Sequence, residues 1–475
     1  MSEGAIQDLV SRGKKDAYFI QGAQSGLFGG RWGPRSPATR EIREEYPFSP
    51  ARFGHWVDID LPRVGDMLMS ADIHIQMPTW LPPSIAALNR THDVTIANPA
   101  ATGAVPAGTV AYGWTNGIAN FLIDHWSLFM DSIELQQGWG EYNDWQPDSD
   151  TTQMRAPIIH AATGTHDGSD SSIQKNAVLP ELVFRVPLVG CQGDDDTGLP
   201  LHSFRSQRLY VRLWLLPIEQ AVESGVLDTY NAMSEPAGLG PYYNVYQVCP
   251  EPWGGLPIYV DGALTSEVTL QKYEIAHPIV YGRFAVLHLG EDMKAELKAT
   301  PHAILYKQQL RQDFVIESAD LRGGSNVKKR LEITGLFQRL ILGFISLART
   351  RQNKYRDINP TGAGDWLTNL SVIVNSTERI LSWPTKKFQE LAQNTQLRRD
   401  VERDLYFIVF GVSPDAEPAG PCNLARTQKV DLLLTFDDNP VDPAVESRQA
   451  FGAVMGEAWN IMDIQEGVAR IRFVD

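Results

Sequence analysis

The stretch Pro180–Ser224 limits the possible fold more than any other part of the chain. It opens with Val183, Phe184, Val186, Leu188 and Val189, a dense β-branched and aromatic run. It closes with Leu209, Val211, Leu213 and Leu215, which alternate with Arg208, Tyr210, Arg212 and Trp214. A repeat of two places one set on each face of a strand, one face apolar and the other mixed. The acidic connection between the two runs carries Gly and Pro and suits neither strand nor helix. Pro187 has no amide hydrogen to donate, so the first strand must be short, bulged or at a sheet edge. Similar runs lie on both sides. The chain reads as all-β.

Its length of 475 residues is too great for one core and suits two of roughly 200 residues each. The 30 Pro and 39 Gly are spread along the chain, which favours many short strands joined by turns over long helices. A net charge of -15 promotes solubility and disfavours wholesale wrapping of nucleic acid. Cys191, Cys249 and Cys422 are too scattered for a disulfide framework and are expected as free thiols. The N-terminus has no apolar stretch of the secretory kind, and Leu336–Leu347 is too short to span a bilayer.

Taken in order, residues 1–24 form an arm, with Ile6, Leu9 and Val10 on one helical face and Gly13 ending it. Arg12, Lys14, Lys15, Arg31, Arg35 and Arg40 outnumber the acids up to that point, a locally basic segment that suits anionic lipid heads or acidic neighbours. A first block spans 25–220, its strands running from about Trp56 to Pro217. Within it, Pro83–Trp114 and Gln146–Val178 read as long polar loops projecting from one end. Residues 221–257 form the interdomain connection, preceded by a short helix around Ile218. A second block, 258–475, holds another set of strands, among them Val430–Phe436. Thr385–Arg403 reads as the best helix, and Ala450–Phe473 as a helical turn followed by a short strand. About eight short strands in each block match the jelly-roll count.

Candidate chemistry is sparse. A dinucleotide fingerprint, a phosphate-binding loop, a zinc-protease His pair, a serine elbow and a C-x-x-C are all missing from the sequence. His160 and His166 are close in sequence but sit in a polar loop, where ligands would not be held ready for a metal. Asp194, Asp195 and Asp196 lack the spacing of a calcium loop. Trp139, Tyr142 and Trp145 could stack on a sugar, cap a core or fill a subunit contact. Asn89, Asn369 and Asn375 head glycosylation sequons, whose use the sequence leaves open. No catalytic, cofactor-binding or metal-ligating residue is assigned, and no cofactor.

The opening residues Gly4, Leu9, Val10, Gly13, Asp16, Tyr18 and Gly22 resemble the N-terminal signature of the major capsid proteins of nucleocytoplasmic large DNA viruses. Further positions follow in that family's order. They are Gly65, Asp66 and Leu68; then Ile133, Leu135, Gly138, Asp144 and Trp145. Next come Val186, Pro187, Leu188, Gly198, Leu199, Pro200 and Leu201. The last are Pro418, Gly420, Cys422, Asn423 and Arg426. The family's Phe-Phe-Lys run after the first signature is absent, and Leu424 and Ala425 replace its usual Phe and Ser, so the chain is similar to a diverged member.

The resemblance implies two consecutive eight-stranded jelly rolls with short helices in connecting loops. It also implies a non-enzymatic shell protein of the virion, made and assembled in the host cytoplasm. Three copies would form a pseudo-hexagonal capsomer in an icosahedral shell. Its partners would be its own copies in a homotrimer, neighbouring capsomers, minor capsid proteins and, through the arm, an internal membrane, with no direct nucleic acid. Contact between copies is expected to use Trp114, Trp139, Trp253 and Trp366. Alternatives are a minor capsid or assembly-scaffold protein of the same fold, and a tandem jelly-roll glycan-processing enzyme or lectin.

Overall fold

The computed structural model describes residues 38–78, 112–150, 154–166, 179–191, 198–204, 207–224, 277–290, 301–317, 326–346, 367–374, 377–385, 405–410, 429–436, 450–465 and 467–473. Shorter described pieces lie at 94–97, 109–110, 258–260, 263–265, within 291–297, within 353–358, and at 422–424. The arm, Trp253, Trp366, Cys249, the Asp194–Asp196 turn, Asn89 and Asn375 lie outside the described residues. So do all but the first residue of the expected helix at Thr385–Arg403, and Pro418, Gly420 and Arg426.

The first roll contains β1 (Ala38–Glu45), β2 (Trp56–Asp60), β3 (Met67–Gln76), β4 (Ile123–Met130), β5 (Ile133–Trp139), β6 (Leu182–Arg185), β7 (Leu209–Leu215) and β8 (Ile279–Leu289). They form two antiparallel sheets with strand orders β1-β8-β3-β6 and β2-β7-β4-β5. The second roll contains β9 (His302–Ile316), β10 (Asn326–Leu331), β11 (Leu336–Ser346), β12 (Leu367–Val374), β13 (Thr377–Pro384), β14 (Tyr406–Val409), β15 (Val430–Phe436) and β16 (Ala450–Gln465). Its sheets run β9-β16-β11-β14 and β10-β15-β12-β13. Numbered within its own roll, each strand occupies the same place in both halves. Each half is a jelly roll, and the chain carries two.

The alternation read from the sequence does the packing. In β7, Val211 and Leu213 point inward and are fully buried, while Arg212 and Trp214 face outward and are partly exposed. Val211 sits opposite Ile59 of β2 and Leu128 of β4. Across the gap, Ile73, Phe184, Phe284 and Val286 complete the first core. In the second roll, Leu340, Leu342, Ile408 and Val454 meet Leu370, Val372, Leu432 and Leu434. Each such side chain, fully buried, contributes about 1.5–3 kcal/mol through the surface it removes from water. The strand before Pro187 is four residues long and lies at a sheet edge, as a missing amide hydrogen requires.

Several expectations give way to tertiary context. Gln146–Val178 is not a bare loop: helix α1 (Gly140–Asp150) enters it and helix α2 (Ala156–Thr163) lies within it. Pro157 near the start of α2 and left-handed Gly164 at its end are ordinary helix punctuation. Pro83–Trp114 contains strands Val94–Ala97, Thr109–Val110 and Tyr112–Trp114. The first of these pairs with Ile258–Val260, and the last with Val222–Ser224. The helix around Ile218 is a single turn, Ile218–Ala221. Ala450–Gln465 is one sixteen-residue strand and has no helical turn, because β9 and β11 hydrogen-bond to it from both sides.

Sheet membership also bears on where the halves divide. Ile279–Leu289 pairs with β1 and β3, so it belongs with the first roll although it lies beyond residue 258. A jelly roll closes with its last strand beside its first, and nothing in a strand's own residues names its partner. Cys191 is a free thiol.

Candidate functional site

The joint between the two rolls is built from apolar packing and paired charges. It grows out of Gln136–Trp145, QQGWGEYNDW, in which β5 runs directly into α1. Tyr142 and Trp145 are buried there against Ile341 of β11, Phe407 of β14, and Ala453 and Met455 of β16. In each of these three strands the neighbouring residues, Leu340, Ile408 and Val454, point into the second core. The outer face of that sheet is therefore a second apolar surface, and the first roll closes it. Trp139, Tyr142 and Trp145 fill this joint, a role the sequence left undecided among three.

Close approach is permitted by two glycines. A side chain on Gly343 would begin 2.6 Å from the Trp145 ring. One on Gly138 would lie 2.5 Å from both Gln309 Oε1 and the Trp126 ring. Gln309 of β9 uses that oxygen to accept the backbone N–H of Trp139 at 3.0 Å, stitching β5 to the second roll.

Several charged groups at the joint are matched in pairs. Arg356 donates to Asp144 at 3.1 Å with both side chains largely buried, and Arg311 pairs with Glu141 at 2.9 Å. Asn120 also donates to Asp144, at 3.5 Å. Burial works against the Arg311 charge, but Glu141 and Asp313 outweigh it and hold its pKa above the ordinary value. Burial pushes the nearby Tyr355 hydroxyl upward, and Glu141 and Asp124 add to the effect. A hydrogen bond from His125 holds the Asp124 carboxyl below its usual range. Asp124, Glu141, Arg311, Asp313 and Tyr355 line a cleft of about 330 Å³ with Phe121, Phe344 and Phe451. Ions already bonded to each other are suited to holding two bodies together.

At the other end of the joint, Tyr306, Met462, Ile464 and Ala469 of the second roll enter the first roll's apolar cluster. The Ala469 backbone N–H approaches Met130 sulfur at 3.5 Å. The two rolls thus share continuous packing.

Other positions singled out in the sequence hold strands to each other. Asp66 accepts the Leu289 N–H at 2.8 Å and Lys294 at 3.3 Å, tying β3 to the end of β8. Leu68 and Leu199 exchange backbone hydrogen bonds at 2.8 and 2.9 Å. The Pro187 carbonyl accepts Gln136 Nε2 at 2.9 Å, and Gln136 Oε1 takes the Val189 N–H at 2.8 Å. Cys422 and Asn423 pair with Phe337 and Leu336.

His160 lies on α2, and His166 lies beyond its Gly164 cap with its backbone N–H on Asn116. Among the described residues no three His, Cys, Asp or Glu side chains stand together as metal ligands would. Trp114 is not a contact residue for another copy. It is fully buried in the first core, stacked on Phe53 at 5.8 Å.

Comparison with solved structures finds the same architecture along nearly the entire chain. The capsid protein VP54 of PBCV-1, fitted into a reconstruction of the virophage Sputnik, superposes with a TM-score of 0.67 at 12% identity, covering 95% of this chain and 100% of that one. The Faustovirus major capsid protein gives 0.57 at 10% identity, covering 97% and 96%. The fold is the double jelly roll. The mavirus major capsid protein shares it at a TM-score of 0.50 and 9% identity, over 94% and 93% of the two chains. No family model matches the sequence. No curated protein matches it either. The double jelly roll therefore occurs here at identities where few side chains are shared.

Proposed function

We propose that this chain is the structural capsid protein of an icosahedral large DNA virus, acting without catalysis or a cofactor. One observation carries the reading. The same eight-strand order occurs twice in one chain, and the two rolls are locked side by side by a buried joint. Two similar lobes per chain make six in a trimer, and a six-lobed tile covers a surface with few gaps. Likeness in fold to the Faustovirus and mavirus major capsid proteins over more than nine-tenths of the chain supports the same role.

In this reading the trimer contacts neighbouring capsomers and minor capsid proteins. The basic first residues form an arm beneath the shell that meets an internal membrane. The chain is made in the host cytoplasm and ends in the virion. Light scattering on purified protein should give about three chain masses, unchanged by modest dilution, since closed symmetry is the usual solution for tiles of this kind. A stable single copy would overturn the assignment. Copy number in purified particles tests shell against scaffold: a protein absent from mature particles is not the shell.

A further inference from the structure

The cleft at the joint takes its lining from both rolls. Residues 343–345 of β11 and 451–453 of β16 pair in register along it. Gly343 adds no side chain there, and the Trp145 ring lies close above its backbone. Aromatic rings make up much of the rest. Phe121 and Tyr355 stack on each other at 5.4 Å, and Phe451 is 36% exposed. At about 330 Å³ the space falls at the small end of the range that small-molecule sites occupy.

The charged part of the lining is uneven. It holds three carboxylates, Asp124, Glu141 and Asp313, and Arg311 is the one Lys or Arg among the described lining residues. All three carboxylates act on that guanidinium, so they are gathered around a single positive charge. Asp124 and Asp313 reach into solvent, their side chains 54% and 62% exposed. Each has one oxygen engaged, Asp124 Oδ2 with His125 at 2.7 Å and Asp313 Oδ1 with Arg311 at 2.8 Å. The other oxygen of each can take a further donor. The carboxylates do not converge as the ligands of a metal do: among the described residues no group of three could hold an ion. Carboxylates spread around aromatic walls suit a cation whose charges lie along a chain. Ammonium groups meet the carboxylates, and the ring faces attract both the charge and the methylenes between.

We infer that the cleft binds a small aliphatic di- or polyamine, with its ammonium groups on Asp124 and Asp313 and its methylene chain against Phe121, Tyr355 and Phe451. A lysine side chain offers the same chemistry at one end only. Two carboxylates that each keep an oxygen for a donor match a ligand with two ammonium groups. Phe121 and Asp124 belong to the first roll, and Asp313 and Phe451 to the second. The bound amine therefore bridges the rolls and stabilises the folded chain, as a ligand of the folded state alone must. The inference does not depend on the assembly reading above.

The test is calorimetric titration of the full chain with putrescine at low salt. Wild type is compared with the double variant Asp124→Asn with Asp313→Asn, and with Glu291→Gln at a carboxylate 90% exposed outside the cleft. That control is needed because a chain of net charge -15 attracts any polyamine to some degree. Wild type and Glu291→Gln should bind one equivalent saturably, and the double variant should bind at least about tenfold more weakly with an unchanged circular dichroism spectrum. Equal weakening in Glu291→Gln, or binding that does not saturate, overturns the inference by reducing it to attraction between opposite charges. Butanediol, of the same length without the charges, should not bind, and binding as tight as that of putrescine also overturns it. A lysine blocked at both its backbone ends separates the two sources of an ammonium group. It should bind more weakly than putrescine, and tighter binding would give the cleft to a lysine of a partner protein instead. Hydroxyl-radical footprinting of wild type needs no variant. Saturating putrescine should shield Phe451 and leave Phe473, 55% exposed, labelled as before. Equal change at both would remove the ligand from the cleft.

Discussion

Ile341, Phe407 and Met455, on the outer face of the second roll's β9-β16-β11-β14 sheet, are buried, whereas Ile42, Tyr46 and Ile279 on the equivalent face of the first roll stand largely in solvent. Strand order is the same in both halves apart from two short added strands, Cys422–Asn423 and Val468–Ile471, so the faces differ in the residues they present and in what lies across them. The second roll's face holds an apolar patch under Tyr142 and Trp145, beside the buried polar side chains Gln309, Arg339 and Glu457. The first roll's face mixes aliphatic and aromatic groups with paired charges. A surface closed during folding can bury apolar groups and paired polar groups together. One that stands in solvent must keep polar groups to stay soluble. The comparison teaches that equivalent faces of a duplicated fold can differ in whether the chain itself covers them.

The comparison breaks most visibly at Trp145. Trp145→Ala should cost about 3–5 kcal/mol, since it empties a large site that the surrounding sheet cannot refill. Urea unfolding would show it as a lower midpoint or as separate unfolding of the two rolls. Asp144→Ala follows closely at about 3 kcal/mol, because Arg356 keeps its charge in a largely buried place without its carboxylate. Asp144→Asn, which can still accept a hydrogen bond, should recover part of that loss.

Gly343→Ala should cost about 1–3 kcal/mol, as one methyl group forces the Trp145 ring away. Against these, Ile42→Ala should change the stability of separated chains by no more than about 0.5 kcal/mol. A large effect there would mean that the face is closed within one chain after all, and the contrast would fail.

The smallest expected effect is acid sensitivity at the cleft. His125 holds the Asp124 carboxyl below its ordinary value, so the folded state binds a proton there less readily than the unfolded one. Its contribution is complete above about pH 4 and is lost as pH falls through the lower folded value. The stability gap between wild type and Asp124→Asn should therefore narrow below about pH 4. A gap constant from neutral pH into strong acid would show that the charge on Asp124 adds nothing.

How much of this was legible beforehand differs by scale. Strands such as Leu209–Leu215 and Val430–Phe436 announce themselves, because a two-residue repeat of apolar side chains has no other stable use. The count of eight per half, and the resemblance carried by Gly65, Asp66, Gly138, Asp144 and Trp145, pointed to the right fold. The joint itself was only half visible. Trp139, Tyr142 and Trp145 stood out as a cluster, but Arg311, Gly343 and Arg356 carry no mark until the chain brings them within reach. Trp114 misled for the opposite reason. A tryptophan in Gly- and Ala-rich sequence looks exposed, yet its pairing with Val222 draws it into the core.

The residues by themselves determined that the chain is all-β, built twice over and short of catalytic motifs, since those properties rest on neighbours a few positions apart. Tertiary structure alone decided the rest. Ala450–Gln465 is a strand because two partners saturate its backbone, and Ile279–Leu289 completes the first roll because β1 and β3 leave a place between them. The joint exists because residues some 200 positions apart meet, as Asp144 and Arg356 do. A strand's pattern records which of its faces is dry. It does not record what lies on the other side.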